Sequence, residues 1–347
     1  MSITKKSFGK TKDGREVSLF ILENKNGYRA EVTDFGAILV RMYVKDAKGE
    51  LRDVVLGYED VAGYEKNGSF FGATIGPSAN RIAGAAFTIN GQDYKVDVND
   101  GPNNLHSHMD DGYHKMIWDS VIEGDSVTFT VRDKDGSMGF PGNKVLSITY
   151  TLDDENGLSL HYHGSSDKDT ILNPTNHSYF NLKGHNRGNI EDHELCLMAS
   201  YYTPVVEGAI PTGEIASVKG TVMDFTESKV VGKEIREPFE QLLLTKGYDH
   251  NWVVDGADGS LKRIAVAKSS ESGIVMETYS TLPGVQFYAG NCIEPVEGKE
   301  GAVYKERSGL CLETQYYPDT IHHENFPSCV FGPNREYDSV TVYRFTV

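Results

Sequence analysis

Hydrophobic and polar residues alternate along most of this chain, in short runs separated by turn residues. The alternation is clear in "SVTFTVRDKDG" (126–136), in "VLSITYTLDDENGLSLHYHG" (145–164) and in the final "SVTVYRFTV" (339–347). A period of two puts successive side chains on opposite faces of a β-strand. In "FTINGQDYKV" (87–96), Asn-Gly separates two alternating runs, which is typical of a β-hairpin. The pattern predicts strands nearly throughout.

Helical periodicity appears only in "VVGKEIREPFEQLL" (230–243), where it predicts a turn or two that Pro238 interrupts. The chain contains no low-complexity linker, charge block or clear internal repeat. We therefore expect an all-β fold, a large antiparallel β-sandwich, with residues 1–347 forming a single domain.

The composition is that of an ordinary globular protein, with 39% hydrophobic and 24% charged residues, and it is strongly acidic, with a formal net charge of −16. Such a charge repels phosphate backbones and anionic membrane surfaces, so we expect no nucleic-acid or membrane partner and favour a neutral small molecule. No apolar run is long enough for a membrane helix, and no apolar segment follows the N-terminal lysines, so we expect a cytoplasmic protein with reduced cysteines.

Polar clusters lie between the strand-like runs, where loops on a rigid scaffold often carry function. They are "ATIGPSANRIAG" (73–84), "GPNNLHSH" (101–108), "NPTNHSYFNL" (173–182), "KGYDHNW" (246–252), "LPGVQFYAGN" (282–291) and "CLETQYYPD" (311–319). Together they supply one cation, two imidazoles, two carboxylates and an amide: Arg81, His106, His177, Asp249, Gln286 and Glu313. Planar polar groups of these kinds bond the hydroxyls of a polyhydroxylated ring, and neighbouring aromatic residues cover its C–H face.

Each candidate also has a purely structural interpretation. Arg81 could form a surface ion pair, and His161 and His163 in "LHYHG" could simply line one face of a sheet. His177 is a better candidate, because its neighbours are hydrogen-bonding groups that can select a tautomer. Strand alternation places Cys311 and Glu313 on one face, and a buried carboxylate is costly unless it is paired or used.

Metal and cofactor chemistry have little support. His106 and His108, with Asp110 and Asp111, match no established metal-binding spacing. Phosphate-binding glycine motifs and the hydrolase nucleophile motif are also absent from the sequence. We therefore predict neither a metal ion nor a cofactor.

The ordered segments "ANRI", "NNLH", "NHSYFNL", "YDHNW", "GVQFYAGN" and "LETQYYPD" resemble those of the aldose 1-epimerase (galactose mutarotase) family. "MGFPGN" (138–143) and "NFPS" (325–328) resemble the same family. Each segment alone is a weak signal, but the ordered set covers most of the chain and is specific. The resemblance implies a large β-sandwich, no cofactor, and interconversion of the α and β anomers of a free aldose such as galactose or glucose.

The resemblance also implies a role for each matched residue. It assigns Glu313 as the general base and His177 as the general acid, and it assigns sugar binding to a group made up of Asn80, Arg81, His106, Asp249 and Gln286. The chain departs from the family pattern at Pro77, where arginine is usual, and at Ser107-His108, where two glycines are usual. Both departures adjoin matched residues, so sugar preference stays open.

Three other functions are compatible with parts of this pattern. A catalytically silent sugar-binding or sensor module would not need the Glu313–His177 pair. A glycosidase would use two flanking carboxylates, for which Asp249 and Glu313 are the candidates. An epimerase of phosphorylated sugars would need additional basic residues near the site. A monomer and a homodimer are both compatible with the sequence.

Overall fold

The computed structural model describes residues 2–347, and its regular structure is almost entirely β-strand. The strands are β1 (Ser2–Lys10), β2 (Glu16–Glu23), β3 (Arg29–Thr33), β4 (Ile38–Lys45), β5 (Leu51–Asp53), β6 (Ala73–Ile75), β7 (Arg81–Ile82), β8 (Ala86–Ile89), β9 (Gln92–Lys95), β10 (Asn104–Leu105), β11 (Asp119–Glu123), β12 (Ser126–Asp133), β13 (Lys144–Leu152), β14 (Gly157–Ser166), β15 (Thr170–Ile171), β16 (Thr175–His177), β17 (Glu194–Leu197), β18 (Tyr201–Thr203), β19 (Val205–Val206), β20 (Ile210–Pro211), β21 (Ala216–Ser217), β22 (Lys229–Val230), β23 (Asp249–Val253), β24 (Lys262–Lys268), β25 (Val275–Ser280), β26 (Gly284–Tyr288), β27 (Val296–Glu297), β28 (Val303–Tyr304), β29 (Cys311–Gln315), β30 (Val330–Phe331) and β31 (Tyr337–Thr346). The two α-helices are α1 (Val61–Lys66) and α2 (Glu240–Thr245). Single 3₁₀ turns occur at Ala83–Ala85, Tyr113–Lys115, Ser137–Gly139, Val231–Lys233, Lys299–Gly301 and Thr320–His322. The predicted all-β class is confirmed.

Three larger sheets form the scaffold. One has five strands in the order β1-β2-β3-β4-β5, and another has nine in the order β11-β12-β13-β14-β31-β25-β24-β17-β22. The third has five strands in the order β21-β18-β23-β26-β29. Adjacent strands in all three sheets pair antiparallel, as expected from the short turns that connect many of them.

Side chains from all three sheets pack into one hydrophobic core. Val32 comes from the first sheet, Phe129 and Tyr343 from the nine-stranded sheet, and Trp252 and Phe287 from the third, and all five are buried. Burying an apolar side chain of this size contributes ~1.5–3 kcal/mol each. Because this core draws on residues from both ends of the chain, we propose that the chain folds as one domain.

The predicted hairpin at 87–96 is confirmed. β8 and β9 pair with Ile89 opposite Gln92, and the turn residues Asn90 and Gly91 have φ of 53° and 75°. Positive φ at both central positions defines the tight turn that Asn-Gly favours. The long antiparallel strands predicted within 126–164 and at the C-terminal end are confirmed as β12, β13, β14 and β31.

The helical segments are shorter than a periodicity search can resolve. α2 begins at Glu240, two residues after Pro238, inside the segment 230–243 predicted to hold a helical turn, and it ends at Thr245, two residues beyond that segment. α1 was not predicted, because its six residues are too few to establish a period. The Asp60 side chain caps it by accepting a hydrogen bond from Gly63 N. Within residues 2–347, no helix has the length and apolar character needed to cross a bilayer.

Candidate active site

The floor of the site is one face of three neighbouring strands, β23, β26 and β29. Asn251 lies opposite Gln286, and Gln286 lies opposite Glu313. Because side chains alternate along a strand, this row shares a face with Asp249, two residues before Asn251. The other face carries Trp252, Phe287 and Leu312, which are buried in the core. The apolar face anchors the sheet, and the polar face is therefore presented to the site.

His177 reaches this face from a separate two-stranded ladder. It ends β16, opposite Ala73 of β6. Gly72 donates its N–H to the His177 carbonyl at 3.1 Å and has φ of +68°. A Cβ at Gly72 would collide with the Leu39 carbonyl oxygen, so only glycine allows this close approach. The end of the strand, and with it the imidazole, is thereby held in place.

Asn80, Arg81 and His106 come from a third ladder, formed by β7 and β10. Leu105 pairs with Arg81, so His106 follows β10 at the point where Asn80 precedes β7. His106 N donates to Asn80 O at 3.0 Å, and Asn80 N donates to His106 Nδ1 at 3.1 Å. Arg81 Nε donates to Asp100 Oδ2 at 2.8 Å, which orients the guanidinium. Two backbone segments thus lock each other together and place three polar side chains on one wall.

These elements enclose a cavity of about 200 Å³. Six of the seven predicted residues line it: Asn80, Arg81, His106, His177, Asp249 and Glu313. The seventh, Gln286, does not line the cavity. Its Nε2 donates to Asp249 Oδ1 at 2.8 Å, and its Oε1 accepts from Gln315 Nε2 at 3.1 Å. Gln286 therefore acts on the cavity through Asp249, which it orients.

The two candidate catalytic groups are neighbours at the bottom of the cavity. His177 Nε2 lies 3.6 Å from Glu313 Oε1, and the two side chains are only 5% and 3% exposed. The second carboxylate oxygen, Oε2, is buried and has no hydrogen-bond partner. Burial lowers the pKa of His177 to about 4 and raises the pKa of Glu313 well above its ordinary value, with Asp249 adding to the second shift. A single proton shared by the two groups therefore favours Glu313.

Burial also shifts the pKa values of the neighbouring titratable groups, His106 and Asp249. Burial lowers the pKa of His106 well below its ordinary value, and the nearby His177 and Arg81 lower it further. Burial also raises the pKa of Asp249. The Arg81 guanidinium and the hydrogen bond from Gln286 oppose this shift, because both favour the charged carboxylate. Arg81 is thus the cation that counters two carboxylates in the site, Asp249 and Glu313.

Sequence reasoning missed one lining residue with an unusual backbone, Phe70. Its φ is +58°, a left-handed conformation that bulky residues rarely adopt and that recurs at functional sites. The ring packs edge-on against His106 and His114, with centroids 4.9 Å away in both cases, and lies 5.9 Å from the ring of His177. The segment "NGSFFG" gives no sign of this conformation, because the conformation is imposed by tertiary packing. Tyr179, Tyr288 and Cys292 also line the cavity.

Comparison with known proteins shows the family to which the chain belongs. The aldose 1-epimerase family model matches residues 18–344. This chain is a member of the aldose 1-epimerase family. It is 39% identical to galactose mutarotase of Bos taurus, with 100% of this chain and 99% of that protein covered. It is 34% identical to aldose 1-epimerase of Escherichia coli, with 96% of each covered. The crystal structure of an aldose epimerase homologue from C. elegans superposes with a TM-score of 0.87, at 30% identity, over 95% of this chain and 99% of that one.

Within this aldose 1-epimerase family member, the departures at Pro77, Ser107 and His108 are not part of the cavity wall. Ser107 is buried, with φ of +67°, and its Oγ both accepts from Ser78 N and donates to Ser78 O, at 2.8 Å each. His108 Nδ1 accepts from the backbone N–H groups of Asp110 and Asp111. None of these residues lines the cavity. The serine hydroxyl thus ties together the two segments that carry Asn80 and His106.

The cavity of this aldose 1-epimerase family member also contains the one arrangement in residues 2–347 that resembles a metal site. Ligand atoms of His106, His177 and Glu313 lie within 4.8 Å of one another. However, His106 Nδ1 accepts a hydrogen bond from Asn80 N, so the neutral ring carries its proton on Nε2. Nε2 is the nitrogen that would have to bind the metal, and a protonated nitrogen cannot do so. Metal-binding histidines instead donate from their second nitrogen. The donor set does not fit a resident metal ion, and it suits a neutral hydroxylated ligand.

Proposed function

We propose that this protein interconverts the α and β anomers of a free aldose, such as galactose or glucose, by acid–base ring opening and reclosure. The observation that carries the proposal is the buried His177–Glu313 pair, with 3.6 Å between Nε2 and Oε1 and with Oε2 left without a partner. The names of the relatives, galactose mutarotase and aldose 1-epimerase, support the same reaction.

The proposed reaction needs two proton transfers. Glu313 removes the proton of the C1 hydroxyl while His177 donates a proton to the ring oxygen, and the bond between C1 and the ring oxygen breaks. Rotation about C1–C2 turns the resulting aldehyde. His177 then takes the proton back from the attacking hydroxyl, and Glu313 returns its proton to the aldehyde oxygen on C1, which becomes the hydroxyl of the other anomer. Each positioned acid or base contributes roughly 10²–10⁴-fold in rate.

Burial strengthens both groups in these roles. An imidazolium whose pKa is lowered to about 4 is a stronger acid, and a carboxylate whose conjugate acid has a raised pKa is a stronger base. When the pair holds one proton, the same shifts place it mostly on Glu313, so the reactive form, with Glu313 charged and His177 protonated, is the minor one. Because the two groups are 3.6 Å apart, the charge of each affects the pKa of the other, and they titrate as a coupled pair.

We assign sugar binding to the remaining lining residues. The Nε2–H of His106 donates to a hydroxyl, since Nδ1 is occupied by Asn80 N. Arg81 and Asn80 also donate to the sugar, and Asp249 accepts from it. Gln286 supports Asp249 from behind. The monomeric or homodimeric state, the cytoplasmic location and the absence of a nucleic-acid partner remain predictions from the sequence.

Polarimetry tests the proposal directly. Freshly dissolved α-galactose and α-glucose should change optical rotation faster with the protein than without it, after subtraction of the spontaneous rate. A panel of other free aldoses would define the preference. Tight sugar binding with no acceleration would instead identify a sensor, and release of a free sugar from glycosides would identify a hydrolase.

A further inference from the structure

A chain of buried side-chain amides connects Asn80, on the wall of the cavity, to Asp249 on its floor. Asn80 Nδ2 donates to Gln315 Oε1 at 3.4 Å, and Gln315 Nε2 donates to Gln286 Oε1 at 3.1 Å. Gln286 Nε2 completes the chain by donating to Asp249 Oδ1 at 2.8 Å. Asn80 and Asp249 line the cavity, whereas Gln315 and Gln286 do not. Gln315 is thus the buried centre of a link between two candidate binding residues.

Both ends of this chain set its direction, and the two ends agree. At one end, Asn80 Oδ1 accepts from the backbone N–H of Arg81 at 3.0 Å, so the NH₂ group of Asn80 faces Gln315. At the other end, an ionised carboxylate only accepts hydrogen bonds, so the NH₂ group of Gln286 faces Asp249. Gln315 must therefore offer an oxygen to Asn80 and a donor to Gln286.

The position of Gln315 meets both requirements. Gln315 follows Glu313 by two residues on β29, so the two side chains share the polar face of the strand. Its Nε2 also donates to Asn251 Oδ1 at 3.3 Å. Turning the amide over would oppose oxygen to oxygen at Gln286 and nitrogen to nitrogen at Asn80. Buried polar groups left without partners in this way are costly, so one orientation of Gln315 is strongly preferred.

The chain leaves a donor at one end and an acceptor at the other. An amide NH₂ group carries two hydrogens, so Asn80 can donate one to Gln315 and the other to a sugar hydroxyl. Asp249 accepts from Gln286 at Oδ1 and offers Oδ2 to a second hydroxyl. Without Gln315, the amides of Asn80 and Gln286 would each lose a partner that fixes their rotation.

We propose that Gln315 is a positioning residue that couples Asn80 to Asp249, so that the cavity presents a fixed donor and a fixed acceptor to the same sugar. The inference rests on the sugar-binding roles proposed for these two residues. Gln315 acts through the two amides that it holds and does not itself line the cavity. Holding both partners in place before binding reduces the side-chain freedom that is lost when the sugar enters.

The test uses Gln315→Met, which keeps the length of the side chain and removes its donor and its acceptor. Gln315→Glu keeps an acceptor for Asn80 and removes the donor to Gln286. Gln241→Met is the matched control, because Gln241 is also buried and its amide bonds both the N–H and the carbonyl of Val205. Neither Gln241 nor Val205 lines the cavity. Urea unfolding checks that each variant is folded.

The effect should appear in sugar affinity and not in the chemical step. Calorimetry should show Kd for galactose raised about 5- to 10-fold in Gln315→Met, the contribution of about one hydrogen bond, and raised at least as much in Gln315→Glu. KM should rise in parallel while kcat stays within about 2-fold of the parent, as expected for a loss of uniform binding. Gln241→Met should leave Kd, KM and kcat parental.

A second measurement follows the chain directly, in the sugar-free protein. The side-chain NH₂ signals of Gln286 in a nitrogen-15 NMR spectrum, assigned by their loss in Gln286→Met, should shift when Asn80→Gly removes the far end of the chain. Asn80 has φ of +59°, which glycine adopts without strain. The shift should disappear when Asn80→Gly is made in the Gln315→Met background, because the connection is then already broken.

Three results would overturn the inference: parental Kd and KM in folded Gln315→Met, a fall in kcat as large as the rise in KM, or Gln286 signals that do not respond to Asn80→Gly in the parent. If neither Gln315 variant folds, the response of Gln286 to Asn80→Gly decides. A parent that does not interconvert anomers would refute the proposed function, whereas calorimetry and the amide signals would still test the role of Gln315.

Discussion

His177 Nε2 and Glu313 Oε1 are 3.6 Å apart although the two residues are 136 positions apart in the chain and their strands belong to different sheets. The distance is slightly too long for a good hydrogen bond and short enough for strong electrostatic coupling between two buried groups. In the proposed reaction, a sugar presents its C1 hydroxyl to Glu313 and its ring oxygen to His177. The pair is therefore the unit on which the predictions about turnover depend.

Removing either member of the pair should abolish most of the catalysed rate. We expect Glu313→Gln and His177→Asn each to lower kcat by about 10²-fold or more, the worth of one acid–base partner. The double variant should lose far less than the product of the two losses, because the residues act together. Steady-state polarimetry measures kcat of each single variant and of the double variant. Calorimetry measures sugar binding, which should persist in every variant.

His163 and Glu336 provide a matched control for this experiment, since their side chains lie 3.7 Å apart on the surface, 51% and 61% exposed. His163→Asn and Glu336→Gln should leave turnover at the parental level. Near-parental turnover in folded Glu313→Gln would refute the proposed base.

The pH profile should be bell-shaped, with its limbs assigned in the reverse of the usual order. As pH rises, His177 releases its proton first, near pH 4, because its pKa is lowered, and Glu313 releases its proton later, because its pKa is raised. The active one-proton state of the pair is formed through the first step and lost through the second. An NMR titration of the His177 ring should show charge only below about pH 4; a midpoint near the ordinary 6.5 would contradict this assignment.

Phe70 should control the acidic limb. Phe70→Leu removes an aromatic ring from beside His106 and His177 and admits water, which favours the charged imidazole. The pKa of His177 should therefore rise and the acidic limb should move to higher pH. Phe71→Leu is the control, because the Phe71 ring packs on Tyr179 and Tyr304 and does not contact the histidines; an equal shift in both variants would mean that general loosening is responsible.

Chelation should leave turnover intact. The His106 tautomer is set by Asn80 N, so the three converging side chains do not offer three free ligand atoms. Exhaustive treatment with a chelator followed by polarimetry should give the parental rate. Loss of activity that one added metal restores would make His106, His177 and Glu313 ligands and refute the acid–base pair.

Breaking the buried ion pair between Lys299 and Asp53 should lower the free energy of unfolding more than breaking an exposed ion pair. Lys299 is 0% exposed and also donates to the carbonyls of Val40 and Val55. Lys299→Met leaves Asp53 buried without its cation, so the free energy of unfolding should fall by about 3–5 kcal/mol. Lys168→Met, which breaks an exposed pair with Asp135, should cost less than about 1 kcal/mol. Urea unfolding compares them, and similar losses would show that the buried pair is not exceptional.

The sequence by itself determined the local structure and the inventory of the site. Strand alternation and Asn-Gly turns depend on neighbouring residues, so β8, β9, β12, β13, β14 and β31 could be predicted from short windows. The candidate side chains could be found because they lie in polar segments between those strands, in an order that matches one family. α1 was too short for the same kind of argument.

The tertiary structure alone decided how those side chains act. The register across β23, β26 and β29 puts Gln286 behind Asp249 instead of in the cavity. Packing forces Phe70 into a left-handed conformation against the histidines, which no local pattern indicates. The directions of the pKa shifts of His177 and Glu313 also depend on burial, because desolvation is set by atoms that are distant in the chain and close only after folding.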